Sequence, residues 1–402
     1  MKKATARKRR YAFRLRIIDN TEAFRALRRE WSNLLENTAQ ESVFLSWEWL
    51  FTWWEVFADP SRDLHIIAVY ERDTLVGVMP VYGHHCRGYG YVLRWLGTGE
   101  APEDAIVSEY LDIVCKRGFE APVVRFIARS LRFNDTWSAI VLSDALSGHL
   151  ALKLVAIMDT WFSTDVVHTA QRYFVPLSGK RDNHISRLSD SRQKRLKRCR
   201  RAIERDAGTL TRHTISHPDD VRPYLSVVKA LHNMRWEGRR GGGVYNSARF
   251  YAFHEACLRR LSGRHQADVV IFSIKNQPAA ALHLYYSKGR CHYYQSGFSN
   301  TAVNRYMPLF VSHMAEMGTC RARGLTEYDF MRGSTDSYKA DFGCDTEPMF
   351  DAVVHRHRLS LTYHRVRRHT RRTAKRSLLA LQALGVMLLY LVTEGTFDGR
   401  SD

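Results

Sequence analysis

The sequence predicts an α/β (α+β) chain of two similar lobes, each a mixed, mainly antiparallel sheet flanked by helices. Three observations predict it. The chain has 402 residues, enough for two cores at about 150 residues per domain. Its 45% hydrophobic and 12% aromatic content belongs to packed rather than disordered protein. A succession of helix pair, strand meander, then helix and strand occurs twice, and this echo points to two copies of one module. The boundaries that follow are a basic arm over 1–10, a first lobe over 11–178, a second over 179–351 and a basic helical tail over 352–402.

Tyr11 to Ile17 alternates in the manner of a strand and is too charged for a signal-peptide core. Thr21 caps a run in which Phe24, Leu27 and Trp31 recur at helical spacing, so a helix to Glu36 is expected. Ser46 is the expected cap of a second helix to Phe57 carrying four tryptophans. Such rings either stack on bases or sugars or form core, and core is the reading adopted because buried aromatic area stabilises a lobe. Asp63–Tyr70 and Thr74–Tyr82 read as strands around a Glu71-Arg72-Asp73 turn, with further strands at Tyr91–Leu96 and Trp137–Leu142. Gly97 to Asp104 is a loop candidate bordering a cleft.

In the second lobe, Asp190–Arg205 reads as a helix with basic residues nearly all round, exposed to solvent or lying against an anion. Helices follow at Pro223–Trp236 and Phe250–Leu261. Between them Gly241-Gly242-Gly243 lacks the flanks of a phosphate-binding P-loop and reads as a loop. Asp268–Ile274, Ala279–Tyr286 and Cys291–Gly297 form a meander joined by Lys275-Asn276-Gln277-Pro278 and Ser287-Lys288-Gly289-Arg290. A helix over Thr301–Arg321, stopped by Gly324, and a strand over Leu325–Met331 complete the module.

The formal charge of +20 is concentrated in the arm, in Arg192–Arg201 and in Arg356–Arg376. Such runs bind polyanions or are solvated helix faces. In the tail, Leu378–Val392 is apolar but short of the roughly 20 residues that span a bilayer. It lies in a membrane interface or packs on a lobe or second subunit. Seven cysteines without a C-x-x-C pair indicate neither a disulfide framework nor a zinc site, and they fit a reducing cytoplasm. No metal is expected.

Tyr328-Asp329-Phe330-Met331-Arg332-Gly333, followed by Ser337-Tyr338-Lys339-Ala340-Asp341-Phe342-Gly343, resembles the signature D-F-x-R-G and Y-K-x-x-F-G. It is that of the two-lobed GNAT-type acetyltransferases of the cellulose-biosynthesis (CelD/BcsL-like) family, which are FemAB-like in architecture. The resemblance implies tandem GNAT-like lobes, acetyl-CoA or another acyl-CoA as cosubstrate, and a donor wedged between two splayed parallel strands. It places the cofactor loop at Gly297, Ser299, Asn300 and Arg305. Tyr306-Met307-Pro308-Leu309 departs from the family's Tyr-x-Pro-Gly turn.

Acyl transfer needs a base, a nucleophile and oxyanion donors. His283, on a strand face with Ala281 and Tyr285, and Asp329, at a strand end between aromatics, are catalytic candidates or core residues. Tyr338 joins them. Arg332 and Lys339 are candidate substrate-binding cations, with Trp236 and Tyr294 lining the pocket. The expected activity is transfer of an acyl group to an amine or hydroxyl of a cell-envelope or exopolysaccharide precursor. The acceptor is then a small molecule, a saccharide or a lipid-linked precursor, reached in the cytoplasm or peripherally on the inner face of an anionic membrane. The rivals are a FemAB-like transferase taking aminoacyl-tRNA, and a non-catalytic assembly factor that binds membrane or polyanion.

Overall fold

A computed structural model describes residues 11–39, 42–87, 89–178, 184–236, 243–300 and 303–357. The basic arm, Gly241, Gly242 and the tail segment Leu378–Val392 lie outside the described residues.

The first lobe opens with β1 (Phe13–Ile18) and the helices α1 (Thr21–Ala26) and α2 (Arg28–Glu36). Next comes α3 (Trp47–Phe57), whose first turn is capped by the Ser46 hydroxyl accepting from the Trp49 N–H at 3.2 Å. All four of its tryptophans are buried, and each indole N–H finds an acceptor: Phe24 O, Ser108 Oγ, Glu100 and Thr21 Oγ1. The tryptophan helix is therefore core, as buried indoles require. It lies between the lobes, with Trp49 packing at 4.8 Å from Phe253 and 5.0 Å from Tyr285.

β2 (Arg62–Leu64), β3 (Ile66–Glu71), β4 (Thr74–Met79) and β5 (Val81–Cys86) follow. The strand expected over Thr74–Tyr82 is thus two. Pro80 has no N–H for a continuous ladder, and there the chain leaves the small sheet that holds β1, β3 and β4 for the large one. β6 (Gly90–Trp95), β7 (Val114–Cys115), α4 (Glu120–Phe133), β8 (Ala139–Leu146), α5 (Leu150–Met158) and β9 (Ser163–Pro176) complete this half.

The second lobe runs α6 (Asp190–Ala207), β10 (Thr211–His213), α7 (Val221–Trp236), α8 (Ala248–Leu261), β11 (Ala267–Ile274), β12 (Gln277–Ser287) and β13 (Arg290–Phe298). α6 is not polar all round, because Leu196, Cys199, Ala202 and Ile203 form a buried stripe at helical spacing. The helix expected over Thr301–Arg321 is broken into α9 (Val303–Tyr306) and α10 (Pro308–Ala322). Pro308 has no N–H to continue a helix, and Met307 before it takes a left-handed φ of 44°. β14 (Glu327–Gly333) follows, then a 3-10 turn at Tyr338–Phe342 and β15 (Asp345–His355). β15 extends four residues into the segment read from sequence as helical tail.

Ten antiparallel and parallel pairings join the large sheet in the order β10-β11-β12-β13-β14-β9-β15-β8-β6-β5-β2. Its centre is an exchange of strands. β9, made by the first half, pairs with β14 of the second. β15, made by the second half, pairs with β8 of the first, and β9 and β15 pair with each other. On either side of this centre lies one parallel pair, β13/β14 and β6/β8. The two lobes are thus copies of one module, joined through their last strands.

Candidate active site

β13 and β14 pair only at Arg290↔Glu327, Cys291↔Tyr328 and His292↔Asp329, and then separate. Both strands carry a bulge where they part. On β13, Tyr294 has no counterpart on β12; on β14, Phe330 has none on β9. Met331 takes a left-handed φ of 63°, which a side chain adopts only when its surroundings fix it. Those surroundings are visible. Asp329 Oδ1 accepts from the Met331 N–H at 2.7 Å, and the Lys339 ammonium donates to the carbonyls of Phe330 and Arg332.

At the end of β13 lies a pocket of ≈ 250 Å³ walled by Phe298, Met307, Leu309, Phe310, Tyr338 and Phe342, the last of which packs on Phe330 of β14. Its rim carries the Arg192–Asp341 ion pair. The pocket lies at the start of α10, where Met307 offers no side-chain cap and Pro308 has no N–H. The helix supplies no acceptor for the Leu309 and Phe310 amides, so an anion is favoured there.

Behind β14, on the side of the first lobe, lies a buried ion network. Asp329 is fully enclosed and its Oδ2 accepts from Arg172 Nε at 3.1 Å and faces His292 Nδ1 at 3.2 Å. Tyr110 donates to Oδ1 at 3.2 Å. Burial alone would raise this carboxyl, but Arg172, then His292 and the Met331 amide, hold it down at about 2. Arg172 also pairs with Glu327 and, at 3.3 Å, with Glu347. His292 Nε2 lies 2.7 Å from Ser287 Oγ. The segment Ser108–Asp112 of the first lobe reaches into this network. Glu109 accepts from the Arg332 N–H at 2.8 Å, while Asp112 accepts from the first amides of α5 at 2.9 and 2.7 Å.

Burial first, and then the Asp144 carboxylate, push Glu109 up to about 8 from the usual 4.5. The folded protein therefore holds a proton there that the unfolded chain releases. The stability this gives is fully present below about pH 4.5 and is lost as pH rises through about 8. Glu109→Gln keeps an acceptor for the Arg332 N–H and has no proton to lose. Its melting temperature is expected to rise relative to the unaltered protein between about pH 5 and about pH 9. A constant difference across that range would contradict this assignment.

The structure distributes the sequence-predicted residues unevenly. Tyr338, 46% exposed, stands at the pocket. His283 does not: it is fully buried on β12, 3.0 Å from Tyr245 OH and packed on His254, and burial pushes it down to about 3. A neutral core imidazole without solvent access is no proton acceptor for the pocket. Tyr294 belongs to the same buried cluster, its OH 3.2 Å from His254 Nε2. Arg332 pairs with Asp144, and Lys339 is spent on backbone carbonyls, so neither cation faces the pocket as a free ligand. Gly297 packs against the backbone of α7. The Ser299 amide donates to Ala279 O, and Asn300 donates to Met234 O at 2.8 Å. Arg305 pairs with Asp206 at 2.5 Å. The side chain of Trp236 lies outside the described residues. Arg172, Glu109, Tyr110 and His292 were not singled out from sequence. Each acts through a partner from a different element, and no local spacing announces that.

Among the described residues no helix is long and apolar enough to cross a membrane. Residues 190–340 match the family model described as an acetyltransferase (GNAT) domain. Among solved structures the chain is similar to FemX, at 11% identity and a TM-score of 0.54, over 81% of this chain and 95% of that one. It is also similar to the C-terminal domain of a putative lysylphosphatidylglycerol synthetase from Agrobacterium fabrum, at 11% identity and 0.50, over 85% and 95%. A conserved protein of unknown function from Bacteroides thetaiotaomicron matches at 9% identity and 0.51, over 85% and 100%. At such identities the likeness is one of fold, that of two GNAT-like lobes. No curated protein matches the sequence.

Proposed function

We propose that this chain is an acyl-CoA-dependent N- or O-acyltransferase. It moves an acetyl or related acyl group to an amine or hydroxyl of a cell-envelope or exopolysaccharide precursor. Two observations carry the reading: the β13/β14 pair parts after His292 and Asp329, and an apolar pocket at the uncapped start of α10 is walled by Phe298 at the end of β13 and by Phe342, which packs on Phe330 of β14.

The residues present fit an acyl-CoA. Phe298, Leu309, Phe310 and Phe342 give apolar walls for a pantetheine arm, and the Leu309 and Phe310 amides suit its pyrophosphate. A thioester bound there supplies an activated acyl carbonyl. Tyr338, which lines the pocket and is half-exposed, is the residue proposed to give a proton to the departing thiolate. Asp329, Arg172 and Lys339 act as positioning residues, holding the β14 bulge in shape. The acceptor assignment rests on the resemblance of Asp329–Gly333 and Tyr338–Gly343 to the cellulose-biosynthesis family. Cytoplasmic action close to an anionic membrane suits the exposed cations of α6.

Those cations favour a second reading. Lys194, Lys197, Arg198 and Arg201 are exposed and form no ion pair among the described residues. An aminoacyl-tRNA donor would engage them through its phosphates.

Calorimetric titration with CoA and acetyl-CoA decides between the two. Leu309→Glu is the informative variant, because a carboxylate in the first turn favours the helix while repelling an incoming pyrophosphate. It is expected to fold normally and to lose CoA affinity by more than about tenfold, roughly 1.4 kcal/mol. CoA binding that survives this change would sink the pocket assignment. Absence of CoA binding in the unaltered protein, with salt-dependent binding of aminoacyl-tRNA, would replace the donor.

A further inference from the structure

The helix α6 runs beside the α10 pocket and shows the solvent a row of cations. Lys194, Lys197, Arg198 and Arg201 stand at i, i+3, i+4 and i+7, so they share one face of the helix. All four are exposed and form no ion pair among the described residues. We propose that this face of α6 docks the protein on an anionic phospholipid surface.

The packing of the helix is the first reason. Leu196, Cys199 and Ile203 anchor the opposite face in the core of the second lobe, which fixes the row outward. The helix has 18 residues, about 27 Å, and the row takes up about 10 Å of it. Asp190 stands one turn before the row and Glu204 one turn after it, and no acid interrupts it. Two nearby carboxylates are committed elsewhere, Asp206 to Arg205 at 3.2 Å and Arg305 at 2.5 Å, and Asp341 to Arg192. The row therefore keeps its charge, and clustered lysines and arginines are drawn to an anionic leaflet.

The shape of the surface chooses between anionic partners. Single-stranded nucleic acid is held in grooves where aromatic side chains stack on the bases. Residues 190–207 contain no aromatic side chain, and the row lies on the outward ridge of a helix. A ridge of charge meets a plane along its whole length. The long stems of lysine and arginine also lie well in an interface, apolar below and charged at the tip.

Docking would bring the transfer pocket to the lipid. Arg192, two residues before Lys194, lines that pocket, and Arg195 donates to the sulfur of Met307 in its wall. The acceptor reached there is a lipid-linked precursor rather than a freely diffusing sugar. That consequence rests on the acyltransferase reading, whereas the docking does not.

The test is co-sedimentation of the full chain with vesicles of phosphatidylserine and phosphatidylcholine in equal parts, and with vesicles of phosphatidylcholine alone. It is run on the unaltered protein, on Lys194→Gln/Lys197→Gln/Arg198→Gln/Arg201→Gln, and on Lys2→Gln/Lys3→Gln/Arg7→Gln/Lys8→Gln. The two variants lose the same charge, one from α6 and one from the basic arm, and glutamine is close to lysine and arginine in helix propensity. Thermal unfolding checks that both fold. The expected result is salt-sensitive binding to the mixed vesicles only, at least tenfold weaker in the α6 variant and less affected in the arm variant. Equal weakening in the two variants would overturn the proposal, because net charge rather than α6 would then carry the binding. So would equal binding to phosphatidylcholine alone, or binding of transfer RNA that the α6 change abolishes while vesicle binding persists. Absence of CoA binding in the unaltered chain, with vesicle binding lost only in the α6 variant, would sink the donor reading and uphold the docking.

Discussion

Asp329→Ala is expected to destabilise the protein by about 3–5 kcal/mol, measured as a fall in the urea midpoint at neutral pH. The carboxylate is fully buried and has four partners: Arg172, His292, Tyr110 and the Met331 amide. Removing it leaves Arg172, itself 2% exposed, with one fewer counter-charge. It also strips the Met331 amide of the acceptor that holds a side-chain-bearing residue at φ 63°. The pH dependence carries the same signature. Asp329 is held at about 2, against an ordinary value of 3.8. Its contribution is therefore present above about pH 4 and lost as pH falls through about 2, and it amounts to roughly 2 kcal/mol. The variant's acid-unfolding profile should be flatter in that window. An unchanged urea midpoint would mean that the network is not what fixes β14.

Gly297 carries the second large effect. A Cβ built there would lie 2.3 Å from the His232 backbone nitrogen and 2.5 Å from the Leu231 carbonyl carbon, so one of the two backbones must move. Gly297→Ala is expected to cost about 1–3 kcal/mol by overpacking, and Gly297→Val more. Because Gly297 lies on the part of β13 that has left β14, pushing α7 outward also distorts one wall of the opening. Gly263→Ala is the control, with no atom within 4 Å of the added carbon, and should be nearly neutral. Equal stability of the two alanine variants would remove the close approach from the account.

The same glycine shows where sequence reading stopped. Gly297 was legible as special, but the reason lies in a helix some sixty residues earlier in the chain. The features that local chemistry dictates were readable: the Ser46 cap, the meander β11-β12-β13, the tryptophan helix as core, and the doubled module. The strands that local chemistry leaves undecided were not. β15 begins Asp345-Thr346-Glu347-Pro348, which carries little strand character, and forms because β8 and β9 offer it two edges. Likewise Asp329, Arg332 and Lys339 were conspicuous in sequence as charged groups at a turn. Whether such groups meet a ligand or one another depends on what covers them, and here Ser108–Asp112 arrives from the other lobe to do so.

The exchange of β9 and β15 sets a timetable for synthesis. Ser163 pairs with His355, about 190 residues later in the chain. At roughly 5–20 residues per second, the first lobe waits on the order of 10–40 s with β8 unpaired on one side and β9 unpaired on both. Open strand edges of that length are templates for pairing with other chains. Neither half can close its sheet until β15 leaves the ribosome, so the two lobes reach their native state together rather than in succession.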